Sequence, residues 1–447
     1  MSERYIAAIE ISTSKIVAAI GKTLGNGTLD VIAVEHEPTS EGCVRYGIIQ
    51  NLEETSSLVA KIFARLEQRP QIHPRKIKSV IVGLGGRSLK NITKEVSLIL
   101  PEETEINDEI LERLQEQALH SAIDNTLEVV DAVPRVFKVG NSQTNSPKGM
   151  IGDHISGVFD LIVCRPELKR NIRRTIVDKL HLDVDGFVVT AMATGHLILS
   201  QEEKRLGCML VDIGSETTTV TIYQKDSLHY FATLPMGGKN ITRDISSLGV
   251  VDAKAEEIKI TSGNALAEDN VPNLSINGLK LSDISNMVVA RSEEIVANIV
   301  SQIEYAGLKD ADLPGGIVCI GGGARMKGLL ELLENESGLN VRRGTLPEYV
   351  RMEDPRANSA ETIEVASVLY AGATLSDNES LFTPQRPPMP TNGELPFEED
   401  FEEEATLPEA KPAREGKKGN SLFEKVGKKI SRLFSAPDED DSDLLDE

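Results

Sequence analysis

Two stretches of this chain set a carboxylate at the mouth of an apolar strand and follow it with a turn of hydroxyls and small residues. In the first, Glu10 follows the apolar run 5–9, Ser12, Thr13, Ser14 and Lys15 make the turn, and a β-favouring run returns over 16–20. In the second, Asp212 follows 209–211, the turn passes through Gly214, Ser215 and Glu216, and Thr217 opens a β-branched run over 217–222. Two β-favouring runs joined by a short turn read as a hairpin. N–H groups and hydroxyls crowded into such a turn can wrap an anion. A carboxylate beside it can hold Mg²⁺ through water, because this hard ion prefers carboxylate, water and phosphate oxygens. Either hairpin alone is equally an ordinary turn with a satisfied acid. Two copies point to two related half-domains facing one nucleotide, with a loop on each side of its phosphate tail.

A third stretch joins them. The buried-type run 317–320 ends in Gly321, Gly322 and Gly323, and a helix is predicted over 326–336. Such a turn lets backbone approach a ligand closely and aims helix N–H groups at phosphate; the plain alternative is a tight strand-to-helix connection. The dinucleotide pattern G-x-G-x-x-G fails at Met326, and no G-x-x-x-x-G-K-[ST] occurs. Ser12-x-x-Lys15 and Ser376-Asp377-Asn378 match two elements of penicillin-recognising serine enzymes, but no Lys-Thr-Gly follows. The histidines show no metal-ligand spacing, and no G-x-S-x-G occurs.

The elements that must position these loops follow from periodicity. With 447 residues the chain has room for several domains. Strands are predicted at 29–35 and 79–82 around a helix at 52–67, an α/β half-domain. From 84 to 164 the texture changes to a strand at 94–100, a charged helix at 108–123 capped by Asn107, and strands at 128–139 and 157–164. These read as an inserted α+β module, or as more of the same domain. A basic amphipathic helix is expected at 168–180 and a strand at 184–189. Small-residue helices follow Thr190 and span 360–375; each is read as a connector between halves or as a core helix. The second half adds helices at 241–248 and 253–261, a polar loop at 264–278, and a long amphipathic helix at 282–307.

The formal charge is −22. Its acidic excess is densest after Ser376, so the body is only mildly acidic and nucleic acid is excluded as a partner. Cys43, Cys164, Cys208 and Cys319 are isolated and read as buried reduced thiols of a cytoplasmic protein. No signal peptide is read at the N-terminus, and no apolar run reaches the ~18 residues of a membrane span.

Taken in order, the two hairpins, the small-residue helices and the triple glycine resemble the actin/Hsp70/sugar-kinase superfamily, and within it the FtsA family of bacterial cell division. Ile11 to Ile20 resembles the first phosphate loop and 211–218 the second. Ala255 to Lys259 and 320–328 resemble adenosine-binding segments, and 82–90 resembles the entrance to an inserted subdomain. The resemblance implies an α/β, actin-like two-lobed fold with duplicated ribonuclease-H-like half-domains. It implies a first-lobe core at 1–83 and 166–200, the inserted subdomain at 84–165, a second-lobe core at 201–236 and 313–375, and a smaller subdomain at 237–312.

It further implies ATP and Mg²⁺. Ser12, Thr13, Ser14 and Lys15 would touch phosphates from one side, and Gly214, Ser215, Glu216 and Thr217 from the other. Asp212 would orient the ion and its waters. Gly237, Gly238, Glu256, Lys259, Gly321, Gly322, Gly323 and Arg325 would border the nucleoside. The family usually has Asp and Gly where this chain has Glu10 and Ser12, so slow turnover at most is expected. The partners implied are FtsZ through its C-terminal peptide, the chain itself in filaments, and later division proteins. Arg291, Asn298 and Tyr305 form the candidate docking face for FtsZ.

The last part is a separate object. Residues 376–420 are rich in Pro, Gly and acid and read as a disordered linker. In 421–435, Leu422, Phe423, Val426, Ile430, Leu433 and Phe434 fall within an arc of roughly 120°, opposite Lys425, Lys428, Lys429 and Arg432. Such a helix is about 22 Å long, too short to span a bilayer but suited to lie on anionic inner-membrane lipid. Docking on a protein is the other reading. The acidic end 436–447 would repel such lipid and fits neither. The combined expectation is an actin-like protein that tethers division filaments to the cytoplasmic face of the inner membrane. A sugar-kinase-like phosphotransferase and an actin-like adaptor of pilus or cell-shape machinery are the alternatives.

Overall fold

The apolar runs on either side of each acid close into antiparallel pairs. In the computed structural model, Arg4–Ile11 pairs with Lys15–Thr23 from Arg4↔Thr23 to Ile11↔Ile16. Cys208–Ile213 pairs with Thr218–Gln224 from Cys208↔Tyr223 to Ile213↔Thr218. The structure describes residues 4–384 apart from 24–26, 267–272, 355–356, 358 and 376–377. The predicted tail helix at 421–435, the acidic end at 436–447 and most of the predicted linker lie outside the described residues.

The same sheet is built around each hairpin. In the first lobe Leu29–Pro38 adds antiparallel to the returning strand, Ser79–Leu84 adds parallel to the leading strand, and Asp183–Val189 adds parallel to that. In the second, Ser227–Leu234, Ile317–Ile320 and Val341–Arg343 take the corresponding places with the same polarity. Val350–Met352 extends the first sheet at its outer edge. The molecule is thus a duplicated α/β fold. Its central strands read as continuous apolar runs rather than alternations, because both faces are covered. The helices Leu52–Glu67 and Ser359–Leu375 pack on the first sheet.

Between the lobes runs the helix Thr190–Ile198, which continues directly from its strand, packs on the helix Ser359–Leu375 and touches the second-lobe strand Thr218–Gln224. This is the connector alternative of the sequence reading. Small residues are needed there: a Cβ on Gly195 would lie 2.4 Å from Tyr223 Oη, and one on Gly372 would lie 2.7 Å from Ile81.

Residues 90–164 form a four-stranded antiparallel sheet, in the order Ser142–Thr144, Glu128–Val139, Ile151–Cys164, Lys90–Glu105. The helix Asp108–Leu119 covers it, and Leu114, Ala118, Phe137 and Phe159 share a core separate from those of the lobes. Asn107 caps that helix, accepting from Ile110 N at 3.0 Å. The module leans on the second lobe, where Arg135 Nη2 donates to His229 O at 2.9 Å.

Several elements differ from the sequence reading. The strand expected at 94–100 runs from Lys90 to Glu105, because its long partner supplies a ladder to residues whose polar outward face carries no apolar signal. The helix expected at 326–336 starts at Leu329, since Gly323–Arg325 makes a short 3₁₀ turn and Gly328 takes φ +77°. The triple glycine therefore does not feed a helix N-terminus directly. The basic helix comprises Pro166–Arg173 and widens into a π turn over Arg174–Lys179. The long helix, Leu281–Tyr305, buries Ile284, Val288, Ile295, Ile299 and Ile303 as its spacing predicts. Among the described residues, no helix is long and apolar enough to cross a membrane.

Candidate functional site

Both hairpin loops, the triple glycine and the start of the helix Ser359–Leu375 line one cavity of about 690 Å³ between the lobes, within the size range of small-molecule and cofactor sites. The topology makes this necessary. Glu10 pairs with Gly83 and Asp212 with Ile320 at the same end of two equivalent parallel pairs, so both acids and the glycine turn leave their sheets on the same side.

In the first loop, Ser12 Oγ and Ser12 N both donate to Lys15 O, at 2.8 and 3.0 Å, which closes the turn. The hydroxyl thus serves the loop's own geometry. Thr39 holds the tip through bonds to Thr13 O and Ser14 O. Lys15 Nζ donates to Glu361 O at 3.3 Å. In the second loop, Gly214 N donates to Thr217 O at 2.9 Å, while Gly238 N and Lys239 N donate to Gly214 O and Ser215 O at 2.9 and 2.8 Å. A Cβ on Gly237 would meet those two carbonyls at 2.5 and 2.6 Å, so only glycine lets the loop dock there. Gly237 supports the cavity from behind rather than lining it.

At the floor sit three carboxylates, Glu10, Asp212 and Glu364. Burial, with Glu364 and then Asp212 nearby, pushes the Glu10 carboxyl well above its ordinary range, against the pull of Lys15. Burial and Glu364 push Asp212 up to about 8. Burial also raises Glu364, again with Lys15 opposing. Crowded acids that hold their protons this firmly call for cationic charge. Among the described residues no three His, Cys, Asp or Glu are arranged to ligate a metal together. Carboxylate oxygens are the donors a hard ion takes, directly or through water. Gly321 presses on this floor: its φ is +85°, and a Cβ there would lie 2.4 Å from Asp212 Oδ1. Gly322 is open, with nothing within 4 Å of its Cβ position.

On the second-lobe side, Lys259 Nζ bonds Glu256 Oε2 at 2.6 Å, Thr242 Oγ1 at 2.9 Å and Gly238 O at 3.1 Å, fastening the helices Gly238–Ser246 and Asp252–Ser262 together. Ile260 and Met326 give this wall apolar surface. Arg325 pairs with Glu361 across the cavity. Of the residues singled out in the sequence, Ser12 to Lys15, Asp212, Gly214, Ser215, Thr217, Gly238, Glu256, Lys259, Gly321 to Gly323 and Arg325 all line the cavity. Glu216 does not. It is buried and turned outward to Tyr46 and Arg243. The docking candidates share one face of the long helix: Arg291 holds Asp244 at 2.6 and 3.0 Å, Asn298 Nδ2 donates to Glu294 O at 2.8 Å, and Tyr305 is exposed. The tail residues expected from the sequence to face lipid, Leu422 to Phe434, lie outside the described residues.

Sequence reasoning missed Glu361, Glu364 and Thr190. The first two stand three residues apart at the start of an otherwise apolar helix, a spacing that places both on one face and was the available signal. Thr190 had no local signal.

Comparison with known proteins places this arrangement. The family model described as cell division protein FtsA matches residues 209–367, and that of type IV pilus assembly protein PilM matches 8–271. The cell division protein FtsA of Bacillus subtilis is 30% identical over 369 residues, 79% of this chain and 81% of that protein. That of Porphyromonas gingivalis is 29% identical over 358 residues, 78% of this chain and 73% of that protein. Among solved structures, a PilM-PilN type IV pilus biogenesis complex superposes with a TM-score of 0.59 at 17% identity, over 82% of this chain and 98% of that one. At that identity the likeness speaks for the shared fold alone. With 30% identity to a curated relative over about four fifths of both chains, and two acid-bearing hairpins around one cavity, the chain belongs to the FtsA family.

Proposed function

We propose that this is an actin-like, ATP-binding cell-division protein that self-assembles and tethers FtsZ filaments to the cytoplasmic face of the inner membrane. The observation that carries the nucleotide part is the pairing of equivalent hairpins around one cavity, with a cationic side chain from one lobe and a backbone cradle from the other. Lys15, with the tip of the Thr13 and Ser14 loop, receives the phosphate tail from one side. The N–H groups of the Ser215 loop and the Thr217 hydroxyl receive it from the other. Asp212, with Glu10 and Glu364 behind it, would hold the waters of a bound Mg²⁺, which supplies charge neutralisation where the carboxylates crowd the phosphates. Ile260 and Met326 offer an apolar rest for a base. Glu10 and Ser12 make hydrolysis slow: the longer carboxylate reaches differently into the floor, and the Ser12 hydroxyl is committed to its own turn.

Membership of the family supports the division role. FtsZ, through its C-terminal peptide, docks on the face of Arg291, Asn298 and Tyr305, and the helix at 421–435 rests on anionic lipid at the division site. The match of the PilM model to 8–271 favours one further reading, an adaptor of pilus machinery on the same fold. Co-sedimentation with anionic liposomes tests the assignment, using the full chain and one ending at Gly416, each with and without Mg-ATP and FtsZ. Pelleting by the full chain alone, increased by ATP and carrying FtsZ along, is expected. Solubility of both chains overturns the tether, and pelleting without FtsZ favours the adaptor.

A further inference from the structure

We propose that Glu216 is a latch between the lobes, a positioning residue that ties the second hairpin loop to the first lobe and couples closure of the cleft to what the loop holds. The coupling to ligand rests on the nucleotide reading above; the latch itself rests on geometry. Glu216 follows Gly214 and Ser215, whose peptides line the cavity, yet its own side chain leaves the cavity and is buried. One oxygen, Oε2, accepts from Tyr46 N of the first lobe at 3.1 Å. The other, Oε1, accepts from Arg243 Nη2 of the second lobe at 2.8 Å, with Lys239 Nζ at 3.9 Å. A single carboxylate therefore bonds both lobes at once.

Each end of this bond is held. Arg243 and Lys239 belong to the helix Gly238–Ser246, whose first N–H groups grip the carbonyls of Gly214 and Ser215. A shift of the loop moves the cations with it. On the first-lobe side Tyr46 has φ +49°, sparsely populated for a non-glycine residue, and its neighbour Gly47 lines the cavity. Behind it, Arg87 N donates to Tyr46 O at 3.1 Å, and a Cβ on Gly86 would meet that oxygen at 2.5 Å. The segment is wedged between Glu216 and Gly86. Lys239 Nζ also bonds Glu41 Oε1 at 3.3 Å, a second tie across the same boundary. An ordinary loop acid satisfied within its own lobe would need none of this. A buried carboxylate without these partners would be strongly disfavoured.

The test places spin labels on the exposed positions Ser57→Cys and Ala297→Cys, one in each lobe, while the four native cysteines stay buried. Distance distributions are measured by pulsed electron resonance with and without Mg-ATP. Against the Glu216 parent, Glu216→Ala is expected to broaden and lengthen the distribution without ligand and to release a fluorescent ATP analogue about tenfold faster. Glu216→Gln keeps an acceptor for the Tyr46 N–H and is expected to fall between the two. Distributions of a folded Glu216→Ala chain that superimpose on the parent overturn the latch. If that variant does not fold, Glu216→Gln decides: a broadened distribution supports the latch and an unchanged one overturns it. Failure of the parent to bind ATP would remove the nucleotide reading, and the ligand-free arm would still judge the latch.

Discussion

The two hairpins follow the same path and do opposite work. In the first, side chains build the loop: Ser12 turns its hydroxyl onto Lys15 O, Thr39 holds the tip, and the group left facing the cavity is an ammonium. In the second, backbone builds the loop: the carbonyls of Gly214 and Ser215 dock on helix N–H groups, and Glu216 reaches away to the other lobe. One lobe presents a side-chain charge and the other a backbone cradle. A topology sets where a loop lies, and residue chemistry then sets what it offers.

The largest effect expected from this contrast is at Lys15. Lys15→Ala removes the cation facing three carboxylates and should weaken Mg-ATP binding by roughly 100-fold, the scale for truncating one partner of a buried charge pair. Ser215→Ala, on the loop that works through backbone, should change affinity little. Isothermal titration of both variants checks the contrast, and equal losses would break it.

Next in size is the turn beneath Asp212. Gly321→Ala forces a Cβ to 2.4 Å from Asp212 Oδ1 at φ +85° and should lower stability by about 1–3 kcal/mol. Gly322→Ala, with open space around it, should leave the melting temperature nearly unchanged. Equal melting temperatures for the two would show that the floor is not packed as described.

The smallest effect is a slope with pH. Asp212 is held near 8 against an ordinary 3.8, and Glu10 and Glu364 are raised with it. Between those values the folded protein carries more protons than the unfolded chain, so stability without ligand falls as pH rises through the window. A decrease in melting temperature from pH 5 to pH 8 is expected. Mg²⁺ with ATP, or Asp212→Asn, should flatten it. A rise over that range would contradict the crowding of the three acids.

Much of this was legible locally. The paired strands at Glu10 and Asp212, the strand before Gly321 and the capped helix after Asn107 depend on residues that are neighbours in sequence, so apolar runs, turn chemistry and spacing were enough. The connector role of Thr190–Ile198 has no local signal, because small residues serve any close packing; contact with Tyr223 decides it. The strand from Lys90 to Glu105 was under-read because a ladder to a distant partner, rather than an apolar pattern, extends it.

The two acid-bearing turns, the triple glycine and their order are each written in a few adjacent residues and need no distant contact to be read. Folding had to bring Glu364 and Glu361, from a helix far along the chain, to the cavity, where Glu364 completes the floor and Glu361 pairs with Arg325. It alone turned Glu216 from the ligand to the opposite lobe. The direction of a loop side chain depends on which distant donors lie within hydrogen-bond reach, and that distance is fixed only when the two lobes are folded against each other.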